Sequence, residues 1–270
     1  MKKLPILLLN IVFFNIIFIV VSNVCLKHFV DVNNIYNKLF FNAILESLLV
    51  VICLGVIIKL RILPFSGLKT FLKPLNVSHI FFPLLIVSFL LYSNYNLFNS
   101  LPLKLFSLYI VNNFTIGFFE ELFVRVICFS ILIKIFEHDK NFIKPAILSS
   151  ILFGLLHYIN IFTKGTSFDI ATGNVFVAFC IGVYFTGLFL KTGSIIVPAI
   201  LHSLIDIVGS TNVLTEFIAG KKAVTFKEVN SFSDVFPTII IFSLILYVGI
   251  VMIKNSDTKY YKCKLKSSVL

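Results

Sequence analysis

The chain has 270 residues, 59% of them hydrophobic and 13% charged, with a formal net charge of +11 and a mean hydropathy of +1.03. These values lie outside the range of soluble globular domains, so the chain is an integral membrane protein. The positive charge resides in lysines between apolar runs rather than on one amphipathic face, which reads as membrane orientation and excludes nucleic-acid binding.

Lys2 and Lys3 open an apolar run from Leu4 to about Val21 that is long for a signal-peptide core and lacks a small-residue cleavage site, so it predicts an uncleaved first span. Further apolar runs at 40–58, 78–96, 105–135, 144–162, 173–190, 194–209 and 237–254 predict an all-α, polytopic transmembrane helical bundle of about eight spans. The fourth run is too long for a simple crossing. It predicts a tilted helix, or an interfacial segment ending near Asn112 and Asn113 before the true span. Pro64 with Gly67, Pro74, Pro102, Pro145, Gly165, Gly173, Gly193 and Pro237 punctuate the runs as loop markers. The cysteines, Cys25, Cys53, Cys128, Cys180 and Cys263, show no paired spacing, so neither a disulfide framework nor a zinc knuckle is indicated. Lysines are denser on the side that holds the N-terminus. This asymmetry predicts a cell-membrane protein with both termini cytoplasmic, an even number of spans, and the loop between Gly209 and Pro237 outside. The lysine-rich C-terminus reads as a solvated stop signal.

Once loop charges are set aside, the ionisable residues inside apolar runs are Glu46, Glu120, Glu121, Arg125, His157, His202 and Asp206. Charges are costly there and mark functional sites. Only two arginines occur in the whole chain, Arg61 in a loop and Arg125 within the fourth run. Glu121 and Arg125, four apart on one helix face, are spaced for an ion pair, which leaves Glu120 as the carboxylate suited to act as a general base toward water. His202 and Asp206 share the same spacing, and an acid at that position fixes the tautomer and orientation of the imidazole. His157 follows Gly154, which permits close approach of a neighbouring helix. Glu120, His157 and His202, from three helices, can surround one water molecule. The same set can hold a metal, since imidazole and carboxylate suit zinc. Glu46 has no motif around it and reads as an interfacial or packing residue.

Glu120-Glu121-Leu-Phe-Val-Arg125, then Phe153-Gly-Leu-Leu-His157, then His202-Ser-Leu-Ile-Asp206 resemble in order the motifs of the CPBP family. These are the intramembrane CAAX proteases and bacteriocin-processing (Abi-type) proteins related to the eukaryotic prenyl-protein endopeptidase. The resemblance covers roughly Phe106 to Val208. It implies an intramembrane endopeptidase, glutamic-type or metallo-, acting on a peptide or lipopeptide in the bilayer, with maturation of secreted peptides or immunity to them among the family's roles. It also implies that Glu120 and His157 activate water, that His202 and Asp206 stabilise the oxyanion, and that Glu121 and Arg125 support them. Asp206 departs from the pattern, which commonly has Asn there. A bound metal is left open: zinc is possible, and Glu120, His157 and His202 are its expected ligands. On this reading 1–103 form accessory helices, 104–210 the catalytic core, 211–254 an extracytoplasmic loop and last helix, and 255–270 a basic cytoplasmic tail. Two other classes compete with it, a non-catalytic immunity or sensor-partner protein and a small transporter.

Overall fold

The computed structural model describes residues 3–31, 34–68, 76–219 and 232–270. Among these it is all-helical. In chain order the helices are α1 (Lys3–Phe29), α2 (Ile35–Lys59), α3 (Leu63–Ser66), α4 (Phe81–Ser93), α5 (Tyr95–Asn99), α6 (Leu103–Glu121), α7 (Phe129–Ile135), α8 (Ile143–Leu156), α9 (Ile159–Lys164), α10 (Phe168–Thr192), α11 (Ile196–Gly209), α12 (Asn212–Ala219), α13 (Phe232–Lys254) and α14 (Thr258–Lys264). A 3-10 turn occupies Val77–His79, and a π-helical segment, Leu122–Cys128, joins α6 to α7.

Five stretches are long and apolar enough to cross a membrane: Lys3–Cys25, Ile35–Lys59, Ile143–Thr163, Phe168–Thr192 and Ile196–Thr215. Thr238–Lys254 and Thr258–Lys264, bent by 75°, make a sixth if taken as one broken span. The chain is therefore a polytopic helical membrane protein. Of the eight apolar runs, 78–96 becomes the 13-residue α4, closed by Asn94, which falls short of the roughly 20 residues a crossing needs. The run at 105–135 becomes one continuous helical stretch through the π segment, about 50 Å long at 1.5 Å per residue. Near its middle lie Glu121 and Arg125, both fully buried.

Local signals explain several boundaries. Asn34 caps α2 by accepting from the amides of Tyr36 and Asn37, and Ser167 caps α10 by accepting from Ile170 N. Gly193 ends α10 in the left-handed region at φ 73°, as a helix terminator should. Gly173 instead lies inside α10, with open space around it. Pro145 stands in the first turn of α8, where its missing N–H costs nothing. Pro74 and residues 220–231, most of the expected outer loop, lie outside the described residues.

The apolar stretch of α10 is 61% buried, against 11% for α1, so α10 is the central helix and α1 faces the bilayer. A Cβ on Gly187 would meet Gly249 O at 2.8 Å, and one on Gly249 would meet Tyr184 Cα at 2.7 Å. The absence of side chains at both positions lets α10 and α13 pack backbone to backbone. One departure from expectation concerns the tail, which is not a solvated stop signal. Tyr261 is fully buried, its ring set against Phe65, Phe142 and Phe189, and its hydroxyl donates to Phe189 O and Leu190 O. Val269 N donates to Leu60 O, and Lys262 Nζ donates to Glu137 O and Asp139 O. The aromatic surface that this segment buries outweighs the solvation of its lysines, and the Lys264 ammonium is itself buried over the Tyr260 ring, 4.5 Å from its centre.

Candidate active site

Helices α6 and α11 run antiparallel and touch at a glycine. A Cβ on Gly117 would lie 2.5 Å from Ser203 Oγ and 2.8 Å from Ser203 N, so only a residue without one lets the two backbones approach this closely. That approach brings His202, the neighbour of Ser203, against the two glutamates at the C-terminal end of α6. His202 Nδ1 stands 2.8 Å from Glu121 Oε1, and His202 Nε2 stands 3.3 Å from Glu120 Oε2 and 3.8 Å from Asp206 Oδ2.

Glu121 is shared. Its Oε2 lies 3.2 Å from Arg125 Nε, and both side chains are sealed from solvent. The guanidinium also donates to Gly182 O of α10 at 3.4 Å and stacks 4.8 Å from the centre of the Phe153 ring. Arg125 thus joins α6, α8 and α10 behind the imidazole. The pairing with Glu121 follows from the i, i+4 spacing. The hydrogen bond that His202 Nδ1 donates to Glu121 does not, since the two residues belong to different helices. Glu120, read from sequence as the carboxylate without a built-in partner, is in contact with the outer nitrogen of His202.

His157 is linked to this cluster through Phe153. Its Nδ1 lies 3.1 Å from Phe153 O, one turn back on its own helix. A carbonyl only accepts, so Nδ1 carries a proton and Nε2 is the nitrogen left for chemistry. The link between the two histidines is Phe153, edge-on to His157 at 5.0 Å and to His202 at 5.8 Å. Phe153 is a motif position for which the sequence suggests no role; in the fold its ring lies against both imidazoles while its face receives Arg125. Phe185 of α10 closes the other side of His202 at 5.5 Å. Glu46 lies on α2, half-buried.

The donor atoms of Glu120, His202 and Asp206 lie within 4.8 Å of one another, the one such group among the described residues. The metal-ligand set expected from sequence was Glu120, His157 and His202; the fold gathers Asp206 in place of His157. The arrangement imposes a chemical condition. With Nδ1–H directed at Glu121, the Nε2 side of His202 faces two carboxylate oxygens, so either a proton shared among those groups or a cation must sit between them. A cation would find a ligand histidine already oriented by a carboxylate, which Arg125 in turn holds. The apolar cavity of about 280 Å³ lined by Ile151, Leu155, Val175, Phe176 and Phe179, with Thr172 its sole polar residue, is on another face of α8 from Phe153 and His157.

Residues 102–208 match the family described as Type II CAAX prenyl endopeptidase Rce1-like. No curated protein and no solved structure matches the chain. The matched segment begins just before α6 and ends within α11, so it encloses every residue of the cluster. Members of this family are intramembrane proteases, and residues 102–208 of this all-helical, polytopic membrane protein match its Rce1-like type II CAAX prenyl endopeptidase (CPBP/Abi) domain.

Proposed function

We propose that the protein is an intramembrane endopeptidase that hydrolyses a peptide or lipopeptide bond with water activated by Glu120 and His157. The observation that carries this reading is the convergence of Glu120, His202 and Asp206 within a helical membrane domain, braced from behind by Glu121 and Arg125. Such groups are too costly in a bilayer to be kept as packing. Glu120 and Asp206 keep side-chain exposures of 27% and 23%, whereas His202 keeps 8%. The carboxylates therefore border the opening and the imidazole sits behind them. Glu120 takes a proton from water as its oxygen attacks the scissile carbonyl carbon, with the Nε2 lone pair of His157 as the second acceptor at the opening. His202, protonated at Nε2 and held by Glu121, donates to the oxyanion that forms. Glu120 then returns its proton to the leaving amine as the C–N bond breaks.

The same geometry supports a second reading, in which Glu120, His202 and Asp206 hold a divalent cation. When bound, such an ion supplies Lewis-acid polarisation of the carbonyl and lowers the proton affinity of water.

Both termini are assigned to the cytoplasm. The tail folds back onto the Leu60–Phe65 turn and the end of α10, and this gathers the tail lysines with Lys59 and Lys191 at one end of the bundle. The decisive test uses purified protein and a farnesylated CAAX-box peptide, read by mass spectrometry for release of the C-terminal tripeptide. Cleavage by the wild type and its loss in Glu120→Ala is the expected result. Glu120→Ala cleaving as fast as the wild type rejects the mechanism.

A further inference from the structure

The last carbonyls of a helix have no partner within it, and in a bilayer there is no water to satisfy them. The C-terminal turn of α11 meets this need with side chains from two other helices. Tyr109 of α6 donates its hydroxyl to Ile207 O at 2.8 Å and lies 3.5 Å from Asp206 O. Asn94, at the end of α4, donates from Nδ2 to Val208 O at 3.0 Å. Tyr109 is 1% exposed. It stands on the helix that carries Glu120 and Glu121, and the backbone it holds belongs to Asp206 and the residue after it.

We infer that Tyr109 is a positioning residue of the site, fixing Asp206 against His202 through the α11 backbone. The inference rests on the hydrolase reading above only for its consequence in turnover. α11 is tied to α6 at two levels: around Ser203, through the Gly117 contact, the Ser203 Oγ hydrogen bond to Phe114 O at 3.3 Å and the His202–Glu121 hydrogen bond, and one turn later through the Tyr109–Ile207 hydrogen bond. Asp206 lies between Ser203 and Ile207, close to the second level. With the hydroxyl gone, the last turn of α11 keeps Asn94 at Val208 O but loses its hydrogen bond to α6, and it shifts relative to the Ser203 level. His202 resists, because Glu121 holds its Nδ1 at 2.8 Å, so the movement falls on Asp206.

The test compares Tyr109→Phe with Tyr184→Phe. Tyr184 on α10 also donates a hydroxyl to a backbone carbonyl, His79 O at 2.6 Å, and serves as a control for the general loss of one such bond. Hydrogen exchange of residues 206–210 and turnover of the farnesylated CAAX-box peptide are measured on both. Exchange of these amides should quicken in Tyr109→Phe alone. Turnover should fall about ten-fold below that of Tyr184→Phe, the scale of one hydrogen bond, with KM changed by less than about two-fold. Tyr109→Phe combined with Asp206→Asn should be no slower than the slower single variant, because both act through one group. Unchanged exchange at 206–210, or turnover equal to that of Tyr184→Phe, overturns the inference. A wild type that leaves the peptide uncleaved counts against the hydrolase reading instead, and exchange alone then decides whether Tyr109 holds the turn.

Discussion

Arg125 is the fully buried hub of the site, and each of its contacts uses the planar guanidinium: Glu121 at one edge, Gly182 O at another and Phe153 on its face. Removing it leaves Glu121 as an uncompensated buried charge, a loss of about 3–5 kcal/mol. Arg125→Ala should therefore lower the melting temperature and the folded yield in detergent. Arg125→Lys should rescue poorly, because an ammonium has no fork and no flat face. A melting curve for Arg125→Ala that overlies the wild type contradicts this role. Asp206 separates the two mechanistic readings. Without a cation, Asp206→Asn keeps a hydrogen-bonding side chain beside His202 while removing a negative oxygen from the neighbourhood of the oxyanion, so activity should persist or rise. With a cation, the same change removes a charged ligand, and metal content measured on the purified protein should drop together with activity. The metal-free outcome is the expected one, since Glu120, His157 and His202 already supply a base and an oxyanion donor. Metal that copurifies stoichiometrically with the wild type and is lost in Asp206→Asn reverses that choice.

Between α6 and α11 the decisive position is Gly117, where a Cβ would lie 2.8 Å from a backbone nitrogen that cannot rotate away. Gly117→Ala should push α11 outward, lengthen the contacts of His202 with both glutamates and cut turnover more than stability; a variant with wild-type turnover would show that the close approach is dispensable. The intrahelical spacings were legible in the sequence: Glu121 with Arg125, and His202 with Asp206, stand four apart whatever the tertiary fold does. The contacts between helices were not. In a bilayer the lipid-facing and core-facing sides of a helix are both apolar, so the amphipathic stripe that betrays the packed face of a soluble helix is missing. That is why Gly117 carried no signal beside Gly154, and why Glu121 was paired with Arg125 but not also with His202. The π segment at Leu122–Cys128 was hidden as well, since a run of apolar residues around one arginine carries no mark of a wider turn.

At the scale of the whole molecule, one apolar cluster runs from α2 through the π segment, α7 and α10 to Tyr261 and Leu265 of the tail, so the C-terminus belongs to the folded bundle. This bears on orientation. Lys3 opens α1 and Cys25 lies near its far end, about 33 Å away at 1.5 Å per residue, which is enough to span the hydrocarbon. Cys263 lies on α14, packed with the turn after α2. Cys25 and Cys263 are exposed, while Cys53, Cys128 and Cys180 are buried, so the native thiols report the two faces without engineered probes. If both termini are cytoplasmic, Cys25→Ser should react with a membrane-impermeant maleimide in inside-out vesicles and not in intact cells, and Cys263→Ser should show the reverse. The expectation follows from charge: the lysines of the tail, with Lys59 and Lys191 beside it, would all have to cross the bilayer for the opposite orientation to form. Labelling of Cys263 from outside intact cells would invert the topology and place the opening beside Glu120 and Asp206 on the other face of the membrane.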